Sequence, residues 1–97
     1  MNEDIESFID FLSVEKGYSP HTVSAYRNDL SQLSKFVNEN SRSKLASRSS
    51  DVDRQVLLSF ILDLKQRDYE PTTLARKIAA VKSFFGFLVA EGNLESD

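Results

Sequence analysis

One short phrase occurs twice in this 97-residue chain and ties two separate stretches to the same local structure. Residues 17–30 read GYSPHTVSAYRNDL and residues 68–81 read DYEPTTLARKIAAV, so Tyr-x-Pro-x-Thr followed by an aliphatic residue recurs at an offset of 51. Proline holds φ near its helical value and lacks an N–H that a first helical position would leave unpaired anyway. The polar residue before each proline, Ser19 or Glu70, stands at the N-cap position. Each copy therefore predicts the start of a helix, and the two helices present their first turns alike.

Hydrophobic spacing fills in the remaining elements. Ile5, Phe8, Ile9 and Leu12 recur at i, i+3, i+4 and i+7 and predict a first helix over residues 2–16, ended by Gly17. The second helix starts at Pro20 and carries Val23, Tyr26, Leu30, Leu33 and Val37 down one stripe to residue 37 or 38. Residues 38–50 are polar and serine-rich and read as a loop within one domain. Asp53 is a good N-cap for a third helix to about residue 67, with Leu57, Phe60, Ile61 and Leu64 on its inner face. The fourth helix starts at Pro71 with the stripe Leu74, Ile78, Val81, Phe85 and Leu88, and Gly92 followed by Leu94 has the form of a Schellman stop. No segment alternates with strand period, so the fold class is all-α, with four helices in one domain over residues 1–97.

Composition narrows the class of function. The chain has no cysteine, which excludes disulfides and thiolate metal sites, and its single histidine, His21, cannot build a histidine cluster. The longest apolar runs are far too short to span a bilayer and the start MNEDIE is not a signal peptide, so a cytoplasmic protein without membrane contact is expected. The net charge of −3 opposes nucleic-acid binding as an average, but the charges are segregated. Residues 1–15 carry five acids and no base, whereas residues 69–85 carry Arg76, Lys77 and Lys82 against Glu70 alone, and residues 41–55 carry four bases against Asp51 and Asp53. Such a distribution can make a weak basic face.

Signatures of catalysis are missing. There is no glycine-rich phosphate loop and no Gly-x-Ser-x-Gly elbow, and no cofactor is implied. Asp53, near Asp51, reads as a helix cap, Tyr26 falls on an apolar stripe, and Tyr18 and Tyr69 each precede a cap, where a hydrophobic staple is the simplest role. No enzymatic activity is expected of this stretch by itself.

The polar faces of the second and fourth helices remain. At about 100° per residue, His21, Ser24 and Asn28 stack opposite Val23, Leu30 and Val37. On the fourth helix Thr72, Arg76 and Ser83 lie opposite Leu74, Val81 and Phe85, with Thr73, Lys77 and Ala80 on one flank. Small residues at positions 79, 80 and 83 would let a partner approach the backbone. An ordinary solvated surface explains one such face, and two matched faces equally fit a grip on a long regular partner such as duplex DNA.

At these stretches the chain resembles the N-terminal core-binding domain of tyrosine recombinases, the SAM-like domain of integrase and Xer-like proteins. The resemblance rests on Gly17, Ser19, Pro20, Thr22, Tyr26 and Leu30, and later on Pro71, Thr73, Arg76, Phe84, Phe85 and Leu88, and it runs from the first helix to Leu94. Glu70 and Asp68 depart from it, standing where the pattern has serine and glycine. The resemblance implies orthogonally packed helical hairpins forming half of a C-shaped clamp on double-stranded DNA. The other half is a C-terminal catalytic domain of the full-length recombinase, where the catalytic residues reside. It also implies that the second and fourth helices meet the major groove, with contacts at positions matching His21, Thr22, Ser24 and Asn28 and matching Thr72, Thr73, Arg76 and Ala80, to which Lys77 adds charge. By the same resemblance the domain alone is a monomer and oligomers form on DNA. A helical protein-interaction module that shares the packing without binding DNA is the alternative.

Overall fold

The computed structural model describes residues 1–40 and 54–92. Helix α1 spans Asn2–Asp10 and runs on into one π-helical turn, Phe11–Glu15; α2 spans Pro20–Asn40, α3 Arg54–Gln66 and α4 Pro71–Ala90. The described residues contain no strand. The molecule is a slab of 37 × 34 × 20 Å, and its short dimension is about two helix diameters. Helix α2 runs to Asn40, two or three residues past its expected end, so residues 38–40 of the expected loop are helical. The rest of that loop, residues 41–50, the capping role expected of Asp53 and the contact of Leu94 lie outside the described residues.

The two repeated phrases start helices as expected, by unequal means. Ser19 caps α2, its Oγ accepting the Thr22 N–H at 3.3 Å while its carbonyl accepts the Val23 N–H at 2.9 Å. Glu70 is extended at φ −64° and ψ 150°, and its carbonyl takes the Leu74 N–H at 3.0 Å, but its side chain makes no capping bond. The first helix is not wound evenly to its end. In its last turn the Lys16 N–H reaches back five residues to Phe11 O at 3.1 Å. Gly17 then turns left-handed at φ +65°, and the Tyr18 N–H closes on Leu12 O at 3.0 Å. That closure spans one residue more than an ordinary Schellman stop because the wide turn adds one. Gly92, at φ +80°, stops α4 with its N–H on Val89 O at 3.1 Å.

The core joins all four helices. Ile5, Phe8, Ile9 and Leu12 of the first helix meet Leu30, Leu33 and Val37 of α2, Phe60 and Leu64 of α3, and Ala80, Val81, Phe84 and Leu88 of α4. Aromatic contacts run through it. Phe8 lies edge-on to Phe84 at 5.7 Å and against Phe87 at 5.4 Å, and Phe36 of α2 meets Phe60 of α3 at 5.2 Å. Pairs at these separations add to plain area burial.

The inner face of α4 differs from its apolar stripe. Lys77, Ala80, Val81, Phe84 and Leu88 are buried, whereas Leu74, Ile78 and Phe85 are only partly so. At about 100° per residue this turns the buried face by roughly 60° from the centre of the stripe Leu74, Ile78, Val81, Phe85 and Leu88. The reason is Lys77, whose charge marks it as outward in a hydropathy pattern but which is paired inside.

Two kinds of substitution test this packing. Leu30→Ala and Val81→Ala, at buried positions, are each expected to lower unfolding free energy by about 2–4 kcal/mol in denaturant titration. Gly86→Ala should raise it by about 0.5–1 kcal/mol, because a Cβ there meets no atom within 4 Å and the position is an exposed helix interior. Equal, small effects at the two core sites would mean that the core is wrongly placed.

Candidate nucleic-acid interface

Asp29 of α2 follows Tyr26 by three residues and precedes Leu33 by four, so helical geometry turns it inward with them. The residue is 1% exposed and its side chain 0%. A lone buried carboxylate would be strongly destabilising, and here it is paired with two cations from α4. Arg76 donates from Nε to Oδ2 at 2.9 Å and from Nη2 to Oδ1 at 3.0 Å, and Lys77 Nζ donates to Oδ1 at 2.9 Å. Lys77 Nζ also donates to Gln32 Oε1 at 2.9 Å and lies 5.1 Å from the Tyr69 ring centroid, while Gln32 Nε2 donates to the Tyr69 hydroxyl at 2.9 Å. Tyr69 thus completes a closed polar network between α2, α4 and the turn before α4, a larger role than a staple.

The network perturbs two titrating groups. The hydrogen bond to Asp29 raises Arg76 further above its ordinary value, against an opposing effect of burial. Burial raises the Tyr26 phenol, and the nearby Tyr18 and Asp29 add to the shift. Tyr26 also meets Tyr18 edge-on at 6.1 Å.

His21, Ser24 and Asn28 lie exposed on one side of α2, as their spacing requires. Thr22 is exposed as well, and its Oγ1 accepts a hydrogen bond from Ser19 Oγ at 3.0 Å within the cap. On α4, Thr72 is exposed, Thr73 and Arg76 are half-buried, and Lys77 and Ala80 are buried. The last two therefore do not line an outward flank. Lys77 is turned in by its pairing with Asp29, and Ala80 packs in the core. The outward line of α4 is instead Thr72, Ala75, Ala79, Lys82, Ser83 and Gly86. Lys82, exposed and without an ion pair among the described residues, is its forward charge. Of the acids near the chain start, Glu3, Asp10 and Glu15 are exposed, and Glu6 is paired with Arg27 of α2.

Residues 5–92 match the family model described as phage integrase, N-terminal SAM-like domain. The chain belongs to this family. Among similar proteins, a tyrosine recombinase XerC of Roseiflexus sp. (strain RS-1) is 40% identical over all 97 residues, and a tyrosine recombinase XerD of Listeria monocytogenes serovar 1/2a is 34% identical over the same length. The SAM-like domain covers 30% of the first relative and 32% of the second, so the chain spans about a third of the proteins it matches. No solved structure matches significantly. Among the described residues, no helix of the SAM-like domain is long and apolar enough to cross a membrane.

Two measurements follow from the network. Asp29→Ala is expected to cost about 3–5 kcal/mol by leaving Lys77 buried without its carboxylate, and Lys77→Met to cost clearly less because Arg76 still holds Asp29. Similar losses in the two variants would show that Lys77 is not paired as described. Because the fold favours the neutral phenol of Tyr26, stability should fall as pH rises beyond about 10. Tyr26→Phe should lessen that fall in alkaline denaturation.

Proposed function

We propose that this SAM-like domain grips duplex DNA with α2 and α4, as half of a clamp whose other half is the catalytic domain of a site-specific tyrosine recombinase. The observation that carries this reading is the pair of outward faces held together by the Asp29 network. His21, Ser24 and Asn28 on α2, and Thr72, Ala79 and Ser83 on α4, are small or short hydrogen-bonding groups, and all are exposed. Such surfaces let a helix enter a major groove about 12 Å wide, and their groups match base edges and phosphates. The relatives' name, tyrosine recombinase, supplies the reaction class, DNA breaking and rejoining, for the complete protein.

The charge pattern agrees with this orientation. Lys82 and the half-exposed Arg76 stand on the α4 side, while the exposed acids Glu3, Asp10 and Glu15 belong to the first helix and its π turn. Phosphate contact is thereby favoured along α4 beyond its first turn, where the exposed Glu70 opposes it, and disfavoured at the first helix. Thr73, partly buried near the start of α4, is a contact for a duplex lying along that first turn, and Thr22 is its counterpart on α2. Lys77 and Ala80 support the face from behind.

Leu58 and Leu62, one turn apart on α3 and 51% and 59% exposed, favour a second reading, a protein-contact module. Titration with duplex DNA decides between them. Binding in roughly the 10⁻⁴ to 10⁻⁶ M range, weakening steeply with salt, is expected from a non-specific phosphate grip. Lys82→Ala should flatten the log-log salt slope by nearly one unit, whereas Lys77→Met, which removes a buried charge, should change it clearly less. An unaltered slope in the Lys82 variant would remove α4 from the duplex. Sedimentation without DNA should show a monomer, and a stable dimer would support the protein-contact module instead.

A further inference from the structure

A guanidinium group has two forked edges: a side edge formed by Nε and one Nη, and an end formed by Nη1 and Nη2. Asp29 holds the side edge of Arg76, with Nε on Oδ2 at 2.9 Å and Nη2 on Oδ1 at 3.0 Å. The group is thereby fixed in plane and direction by a fully buried carboxylate, and among the described residues the end fork keeps its two parallel N–H donors unpaired. Within the ion cluster the side chain of Arg76 is 38% exposed, against 7% for Lys77 and 0% for Asp29. One negative and two positive charges leave a surplus of one positive charge, and Arg76 is the member through which it reaches solvent.

Along α4 itself the neighbours of Arg76 are small, and the large side chain beside it, Tyr26, belongs to α2. On α4 the residues three and four positions away from Arg76 are Thr72, Thr73, Ala79 and Ala80. No long side chain on those turns competes with the guanidinium or keeps a groove floor away. A phosphate ion pair needs neither a fixed plane nor a cleared approach, since a flexible lysine serves it as well. A guanine edge needs both, because its O6 and N7 acceptors lie in the base plane and are met by two parallel donors.

We propose that Arg76 reads a guanine in the major groove through its Nη1/Nη2 end, with Asp29 as the positioning residue that presents it. This rests on the DNA-gripping reading given above. Lys77 has a defined part in it. By sharing Oδ1 of Asp29 and donating to Gln32 it offsets the carboxylate's charge, so that the exposed fork faces the base with its positive charge uncancelled.

The test uses the 97-residue chain and a pool of duplexes with a randomised central stretch, followed by titration of the selected duplex. The wild-type chain is expected to select guanine at one position. Replacing that guanine by 7-deazaguanine, which lacks the N7 acceptor, should weaken binding about ten-fold. Arg76→Lys keeps the charge and can still pair with Asp29. It should bind DNA with a similar salt slope yet show no guanine preference and no response to 7-deazaguanine. Asp29→Asn, examined only if circular dichroism shows it folded, should lose most of the preference while Arg76 is still present.

A uniform loss of affinity for all duplexes in Arg76→Lys, with the base preference intact, would make Arg76 a phosphate contact and overturn the proposal. Selection without any guanine preference by the wild-type chain would do so too, while leaving the grip on DNA standing. Absence of salt-dependent binding to any duplex would instead remove the DNA-gripping reading, and the guanine assignment with it.

Discussion

The position of α4 against α2 depends on one buried carboxylate. Asp29 cannot remain charged in the interior unless it is neutralised, and the two cations that do so are adjacent on α4. Adjacent helical residues point about 100° apart, so only one rotation of α4 brings both to the same carboxylate. That rotation buries Ala80, Val81, Phe84 and Leu88 and leaves Leu74, Ile78 and Phe85 at the edge. Apolar contact alone would tolerate several rotations of a helix as hydrophobic as α4, and the hydrogen bonds to Asp29 and Gln32, with the cation–π contact of Lys77 on Tyr69, select among them.

The helix starts, the stops at Gly17 and Gly92, and the core residues of α1, α2 and α3 were legible in the sequence because each follows from local geometry or from apolar spacing. The outward set on α2 was legible for the same reason, since no charge is buried among His21, Ser24 and Asn28. The flank of α4 was not. A lysine on a hydropathy pattern reads as solvent-facing, and its burial depends on a partner 48 residues away. Asp29 itself left a trace, an acid at three-four spacing between Tyr26 and Leu33, on a stripe otherwise apolar. The π turn left none, because Phe11 to Glu15 carry no proline or glycine and no break in period.

The unequal starts of α2 and α4 bear on how the two faces can differ. Ser19 satisfies an N–H of the first turn of α2 with its own hydroxyl, and Thr22 is tied into that cap. Glu70 offers no such bond, so the first N–H groups of α4 are not closed off by a side chain. The helix dipole still favours the Glu70 carboxylate near that end, which stabilises α4 but sets a negative charge beside the positive end of the helix. The start of α4 is accordingly less inviting to phosphate than that of α2.

Stability and surface also pull against one another along α4. Its outward line includes Ala75, Ala79, Ser83 and Gly86, and the glycine lowers helix stability relative to alanine although nothing nearby requires the missing Cβ. What holds such a helix is therefore its inner side, where Phe84 meets Phe8 and where Lys77 and Arg76 meet Asp29. With the cohesion concentrated on that side, the outer side is free to stay thin, and a thin helix is the kind that fits deeply into a groove. The buried ion cluster and the outer face, small-residued apart from Lys82, are in this sense one arrangement: the first supplies the fixed rotation, and the second is the surface that this rotation turns outward.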